Sequence, residues 1–195
     1  LGDVYKRQGL VEVLEEAIER ARATVEEKNP DLPDDEKAAI AEAVGIGGVK
    51  YFELCHDRTT DYVFDWDGML SQQGNTAPYL MYSYVRVRSI FRKLDDSIEF
   101  KAENVQLTEP AELALAFKLT QFAAAVDSVL ADLRPHLLST YLYELARQFH
   151  SFFEACPVLK SEGEVQNARL VLCDTTARVL GKGLGLLGIK VIERM

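Results

Sequence analysis

Cysteine, histidine and tryptophan are scarce in this chain: three, three and one among 195 residues. The cysteines (Cys55, Cys156, Cys173) are odd in number and contain no C-x-x-C pair. That excludes a disulfide framework and a cysteine zinc site, and predicts buried reduced thiols. His56, His136 and His150 show no ligand spacing with each other or with the cysteines, so no metal is expected. Phosphate-cradling loops are missing too: there is no GxxxxGK[ST], and the GxGxxG string at Gly183 to Gly188 lies at the end of a helical pattern, not between a strand and a helix start. Gly181-Lys182-Gly183-Leu184-Gly185 follows a helical pattern instead of opening one, and reads as a glycine-rich helix end. GxSxG and HExxH are absent, so no catalytic residue is nominated. Cys55 and His56 are neighbours in sequence, and adjacent side chains on a helix do not face each other. There is no run of about 18 apolar residues and no basic start followed by an apolar stretch, so neither a membrane span nor a signal peptide is expected.

What is present is 48% hydrophobic and 27% charged, the profile of a soluble globular protein with one domain, or a short piece plus one domain. Acids outnumber bases 31 to 22, and the whole excess of nine lies in residues 1–67. From Gly68 to Leu94 there are four bases (Arg86, Arg88, Arg92, Lys93) and no acid. A basic strip inside an acidic protein suits a polyanion, and it equally suits a solvated helix face.

Leu10, Val13, Leu14, Ala17, Ile18, Ala21 and Val25 recur at helical spacing and predict a helix over 10–28, stopped by Asn29-Pro30. A second helix is expected from 34 to 44, a pause at Gly45-Ile46-Gly47-Gly48 with a turn or a close backbone contact, and a restart over 49–55. Tyr62, Phe64 and Trp66 alternate with polar or small residues, as in an extended segment or short strand, and Gly68 to Asn75 reads as a loop. Asp57, Asp61, Asp65 and Asp67 share one face of such a segment, which suits a solvated face or one paired with Arg58 better than a metal cage. Further helices are expected over 76–93, 110–133, 135–155 and 164–180, the last broken up by Gly181, Gly183, Gly185 and Gly188. The fold class is therefore all-α: an antiparallel helix bundle preceded by a short helical connection and one extended segment.

On the 76–93 helix, Tyr79, Tyr82 and Arg86 fall close to one face, and Tyr84, Arg88 and Phe91 on another. Aromatic faces stack on unpaired bases and guanidinium groups clamp phosphates, the combination single-stranded RNA loops require. Packing into the core is the competing use of at least one of the three tyrosines.

Three strings then become recognisable: Val44-Gly45-Ile46-Gly47-Gly48-Val49-Lys50-Tyr51, Arg58-Thr59-Thr60-Asp61-Tyr62-Val63-Phe64-Asp65-Trp66-Asp67 and Gly74-Asn75-Thr76-Ala77-Pro78-Tyr79-Leu80. With Arg86 to Lys93, Tyr141 to Ala146 and Val191 to Met195, they resemble the bacterial arginyl-tRNA synthetases, from about Leu10 to Met195. The resemblance implies the C-terminal third of such an enzyme. Residues 9–67 would be the connection that follows the catalytic domain, and 68–195 the anticodon-binding helical domain. The HIGH-type motif and the Rossmann domain have no counterpart here, and Leu1 to Gln8 resembles a translated adaptor. The resemblance further implies tRNA-binding roles for Tyr79, Tyr82, Arg86, Arg88, Phe153 and Met195, with Phe at 153 where many family members carry Tyr. The Phe152–Phe153 end of its helix would lie near the anticodon loop. The implied partner is arginine-accepting tRNA, bound by a cytoplasmic monomer. No cofactor is expected in this stretch, and ATP would serve the full-length enzyme. A helical protein-interaction module with no RNA role is the alternative, motivated by the net charge of −9.

Overall fold

The computed structural model describes residues 9–95, 98–103 and 105–195; residues 1–8, for which an adaptor is expected from sequence, lie outside them. Among the described residues there are eight helices and no strand. Helix α1 (Leu10–Lys28) buries Ala17, Ala21 and Val25 along one stripe. The short link at 29–33 turns the chain back into α2 (Asp34–Leu54), which packs along α1 as an antiparallel hairpin.

Helix α2 runs unbroken through Gly45, Gly47 and Gly48, where a pause is expected from sequence. The close backbone contact foreseen there is its cause. A Cβ on Gly45 would lie 2.7 Å from the Ile18 nitrogen and 2.8 Å from the Ala17 carbonyl. Glycine costs a helix up to about 1 kcal/mol per position, and here that is offset by letting two helix backbones touch. Gly45→Ala should lower stability by about 1–3 kcal/mol, because backbone atoms cannot yield as a side chain can. Urea unfolding followed by fluorescence of Trp66, the sole tryptophan, measures it.

After α2 the chain is extended as foreseen, but pairs with no neighbouring strand among the described residues. Tyr62 and Phe64 pack edge-on against Phe52, at 5.2 and 5.9 Å between ring centres. Trp66 opens a single helical turn, α3 (Trp66–Met69), where a loop from Gly68 is expected; the Asp65 carboxylate accepts from the Asp67 and Gly68 N–H groups and caps it. Trp66 is buried with Ala17, Val49 and Met69, under the Arg20 guanidinium at 5.0 Å.

Helix α4 (Ala77–Arg92) starts at Thr76, whose hydroxyl oxygen accepts from the Tyr79 N–H. The single helix expected over 110–133 is two, α5 (Pro110–Thr120) and α6 (Phe122–Asp132). Their packing differs: α5 buries Leu115 against α7 (His136–Ala155) and α8 (Gly163–Leu186), while α6 leans mainly on α7 and buries no residue fully. By composition the 110–132 stretch is long and apolar enough to cross a membrane. Its division leaves each piece at 11 residues, about half of the ~20 that a helical span needs. Helix α8 also continues through its glycines, because Gly183 sits directly beneath Leu142 of α7. Leu80, Leu142, Leu145, Phe149 and Leu180 fill the core between α4, α7 and α8. The closing segment folds back over α2 and α4: Ile189 is buried, and Lys50 Nζ donates to the Gly188 carbonyl at 2.8 Å.

Candidate nucleic-acid interface

Pro78 in the first turn and the Thr76 cap fix where α4 starts, and so which residues share its outward strip. Tyr79, Tyr82 and Arg86, three and four residues apart, lie on that strip, all half-buried. The Arg86 guanidinium lies over two rings, 4.7 Å from the centre of Tyr82 and 5.4 Å from that of Phe153 on α7, and its Nη2 donates to the Tyr82 hydroxyl at 2.5 Å. An arginine held between rings keeps its charge at the surface with little side-chain freedom left to lose on binding an anion. Phe152, by contrast, is fully buried in the core, so only Phe153 of that pair reaches this face.

Helix α7 adds groups that sequence reading did not select. Tyr143 lies 5.6 Å from Tyr79 ring to ring, and Arg147 lies over Tyr143 at 5.8 Å. His150 meets Tyr79 at 5.3 Å and Tyr82 at 6.5 Å. The spacing 143, 147, 150 is itself helical and carries a tyrosine, an arginine and a histidine. It was available as a signal, and only the packing of α7 on α4 shows that the two strips merge. Burial, with Arg86 nearby, holds the His150 ring below its ordinary pKa, which favours the neutral ring. Burial raises that of Tyr79.

Arg88 belongs to the opposite strip. Its Nε donates to the Glu193 carboxylate at 3.0 Å, the Tyr84 hydroxyl donates to the same carboxylate at 2.9 Å, and Arg92 donates to the Glu193 carbonyl at 2.7 Å. The hydrogen bond from Arg88 holds the Glu193 carboxyl below its usual range. Three residues one turn apart on α4 thereby strap the 189–195 segment to the bundle, and Met195 reaches the tyrosine side. There it lines a cavity of about 140 Å³ with Tyr82, Pro78, Lys28 and Gln72. Glu193→Ala should cost less than about 1 kcal/mol of stability, since the ion pair is solvated, while speeding amide exchange in residues 190–195 measured by hydrogen–deuterium exchange.

The remaining candidates stay apart. All three cysteines are free; burial pushes the Cys55 thiol up to about 11 and the Cys173 thiol up to about 12. Cys55 Sγ does come within 3.6 Å of His56 Nδ1, because the helix has ended at Leu54. That nitrogen is 2.6 Å from the Phe52 carbonyl, so it carries the proton and offers the thiol no lone pair. Asp57 pairs with Arg134, at 3.3 Å, while Arg58 turns to the Leu133 carbonyl. Among the described residues no group of three or more His, Cys, Asp or Glu could hold a metal ion.

The bundle is that of the anticodon-binding domains of class I aminoacyl-tRNA synthetases. Residues 80–195 match the DALR anticodon binding domain, and the chain belongs to that family. Residues 3–66 match the class I (R) synthetase catalytic domain. The arginine–tRNA ligase of Laribacter hongkongensis is 56% identical over 187 residues, and that of Chromobacterium violaceum 55%; each match covers 95% of this chain and 32% of the relative. The chain thus spans about a third of the length of the curated relatives it matches. The arginyl-tRNA synthetase structure from Thermus thermophilus superposes with a TM-score of 0.89 at 36% identity, covering 96% of this chain and 32% of that one. The enzyme from Plasmodium falciparum gives 0.88 at 30% identity, over 97% and 34%.

Proposed function

We propose that residues 68–195 grip the anticodon loop of an arginine-accepting tRNA, and that residues 9–67, nearly all within the stretch that matches the class I (R) catalytic-domain model, connect the catalytic core to it. Arg86 meets backbone phosphate, Tyr79, Tyr82 and Phe153 stack with splayed bases, and Met195 closes the cavity beside Tyr82. The observation that carries this reading is Arg86 held over Tyr82 and Phe153 at the junction of α4 and α7. An arginine between rings offers a phosphate clamp and stacking surfaces in one place. The acid excess does not oppose it, because residues 68–195 hold equal numbers of acids and bases. Arg88 stands on the strip that straps the closing segment, so its part is to keep Met195 in place.

The whole protein, on this reading, joins arginine to tRNA with ATP in the cytoplasm as a monomer; this chain contributes recognition and no bond-making step. Two measurements test it. Filter retention of arginine-accepting tRNA should fall steeply with salt, as release of counterions from phosphate requires. Arginine-dependent ATP–pyrophosphate exchange, assayed with tRNA present, should be absent from this chain. Failure to retain tRNA at low salt would favour the protein-interaction module; robust exchange would refute the division of labour.

A further inference from the structure

Ser83 and His150 meet beneath the tyrosine strip. Ser83 is fully buried, and its hydroxyl donates to the Tyr79 carbonyl one turn back, at 2.8 Å. A hydroxyl has one proton, so only lone pairs remain on Ser83 Oγ for another partner. His150 Nε2 lies 3.1 Å from that oxygen. Both contacts are satisfied only when Nε2 carries the imidazole proton, which leaves Nδ1 with a bare lone pair. Among the described residues no group bonds Nδ1, yet Trp66 Nε1 is the sole buried side-chain nitrogen or oxygen among them without a partner. His150 Nδ1 therefore opens to solvent, on a ring fixed by Tyr79, Tyr82 and Phe149.

Resting on the reading of this face as an RNA-loop platform, we infer that His150 reads a base: its Nδ1 accepts a hydrogen bond from the exocyclic amine of an unpaired adenine or cytosine stacked beside Tyr79 and Tyr82. The charges around the ring select that edge. Arg86 stands on α4 and Glu154 one turn further along α7, and both act on His150. Adenine and cytosine present an amine beside a ring-nitrogen acceptor, which sets the acceptor toward Arg86 and the donor toward Nδ1 and Glu154. Uracil flanks its single N–H with two carbonyl oxygens, one of which would face Glu154. The interaction needs the neutral ring, which burial and Arg86 favour.

The test uses the full chain and stem-loop RNAs in which each unpaired adenine or cytosine is replaced in turn by inosine or uracil. At one position, loss of the amine should weaken binding about five- to tenfold. His150→Gln places a donor near Ser83 and removes the acceptor at Nδ1; it should keep the melting temperature and bind both RNAs equally. His150→Asn restores an acceptor near Nδ1 and should recover part of the discrimination. The unaltered protein provides a second readout. The titratable and charged groups facing the ring are Tyr79, Tyr82 and Arg86 from α4 and Glu154 from its own helix. Discrimination should vanish in step with protonation of His150 followed by ring NMR signals. Equal discrimination by His150→Gln and the parent, or discrimination that persists once the ring is protonated, overturns the inference. Absence of RNA binding by the parent overturns instead the reading on which it rests.

Discussion

Arg86→Ala is expected to weaken tRNA binding ten- to a hundredfold, roughly 1.5–3 kcal/mol, and to reduce the salt dependence by about one phosphate's worth. The size follows from geometry. Arg86 sits over Tyr82 and Phe153 and donates to the Tyr82 hydroxyl, so the side chain is ordered before any RNA arrives. Its removal takes away the charge and also releases the ring beside it. Arg86→Lys should recover part of the charge term and little of the stacking, because an ammonium lacks the planar face. Tyr82→Ala removes a stacking surface worth ~1–3 kcal/mol per base and frees Arg86. The double variant should therefore lose less than the sum of the two. Arg88→Ala is the control: that guanidinium is already engaged by Glu193, so tRNA affinity should change far less than with Arg86→Ala. Filter retention across a salt series distinguishes all of these. Unchanged binding by both Arg86→Ala and Tyr82→Ala would remove the face from the account.

Periodicity in the sequence was sufficient for most helices and for part of the site, and particular residues show where it stopped. The strip Tyr79, Tyr82, Arg86 is legible from spacing alone, as is the separation of Tyr84 and Arg88 onto another strip, which the Glu193 strap explains. Phe153 came from family resemblance, and its contact with Arg86 is a tertiary fact. His150, Tyr143 and Arg147 were missed because nothing local says that α7 lies beside α4. The glycine stretches read as breaks, with a close backbone contact as the alternative at 45–48, and both helices run on. Local propensity counts a cost of up to about 1 kcal/mol per glycine and cannot see Ala17 or Leu142, whose closeness demands glycine at 45 and 183. The division at Thr120-Gln121 has no local signal either: no proline or glycine stands there, and the halves differ in packing, the first on both α7 and α8 and the second mainly on α7.

Glu112→Ala should be the most destabilising of the substitutions considered, by about 3–5 kcal/mol, a large share of the ~5–15 kcal/mol that holds a domain folded. Glu112 is nearly inaccessible, at 2% exposure. Its Oε2 accepts from the Thr108 and Glu109 N–H groups at 3.0 and 3.2 Å, closing the start of α5, while Oε1 accepts from Arg169 Nε of α8 at 2.7 Å. The same guanidinium donates to the Pro157 carbonyl and the Ser161 hydroxyl at 3.0 and 2.7 Å, so one pair ties α5, α8 and the link after α7 together. Truncation leaves the half-buried Arg169 cation without its carboxylate and two backbone donors unsatisfied. Replacing both partners by apolar residues, Glu112→Leu with Arg169→Met, should cost much less than either single change, because no charge is left stranded. Acid gives an independent reading. Burial alone would push the Glu112 carboxyl up, but Arg169 and the two N–H donors outweigh it and hold the carboxyl below its ordinary value. A folded-state value below the unfolded one, about 4.3, means this contribution is complete above that pH and is lost as pH falls through the folded value. The stability gap between the parent and Glu112→Gln, from urea unfolding followed at Trp66, should be constant near neutrality and close below about pH 4. A gap that stays constant through that acid range would show that the carboxylate charge is not what joins these helices.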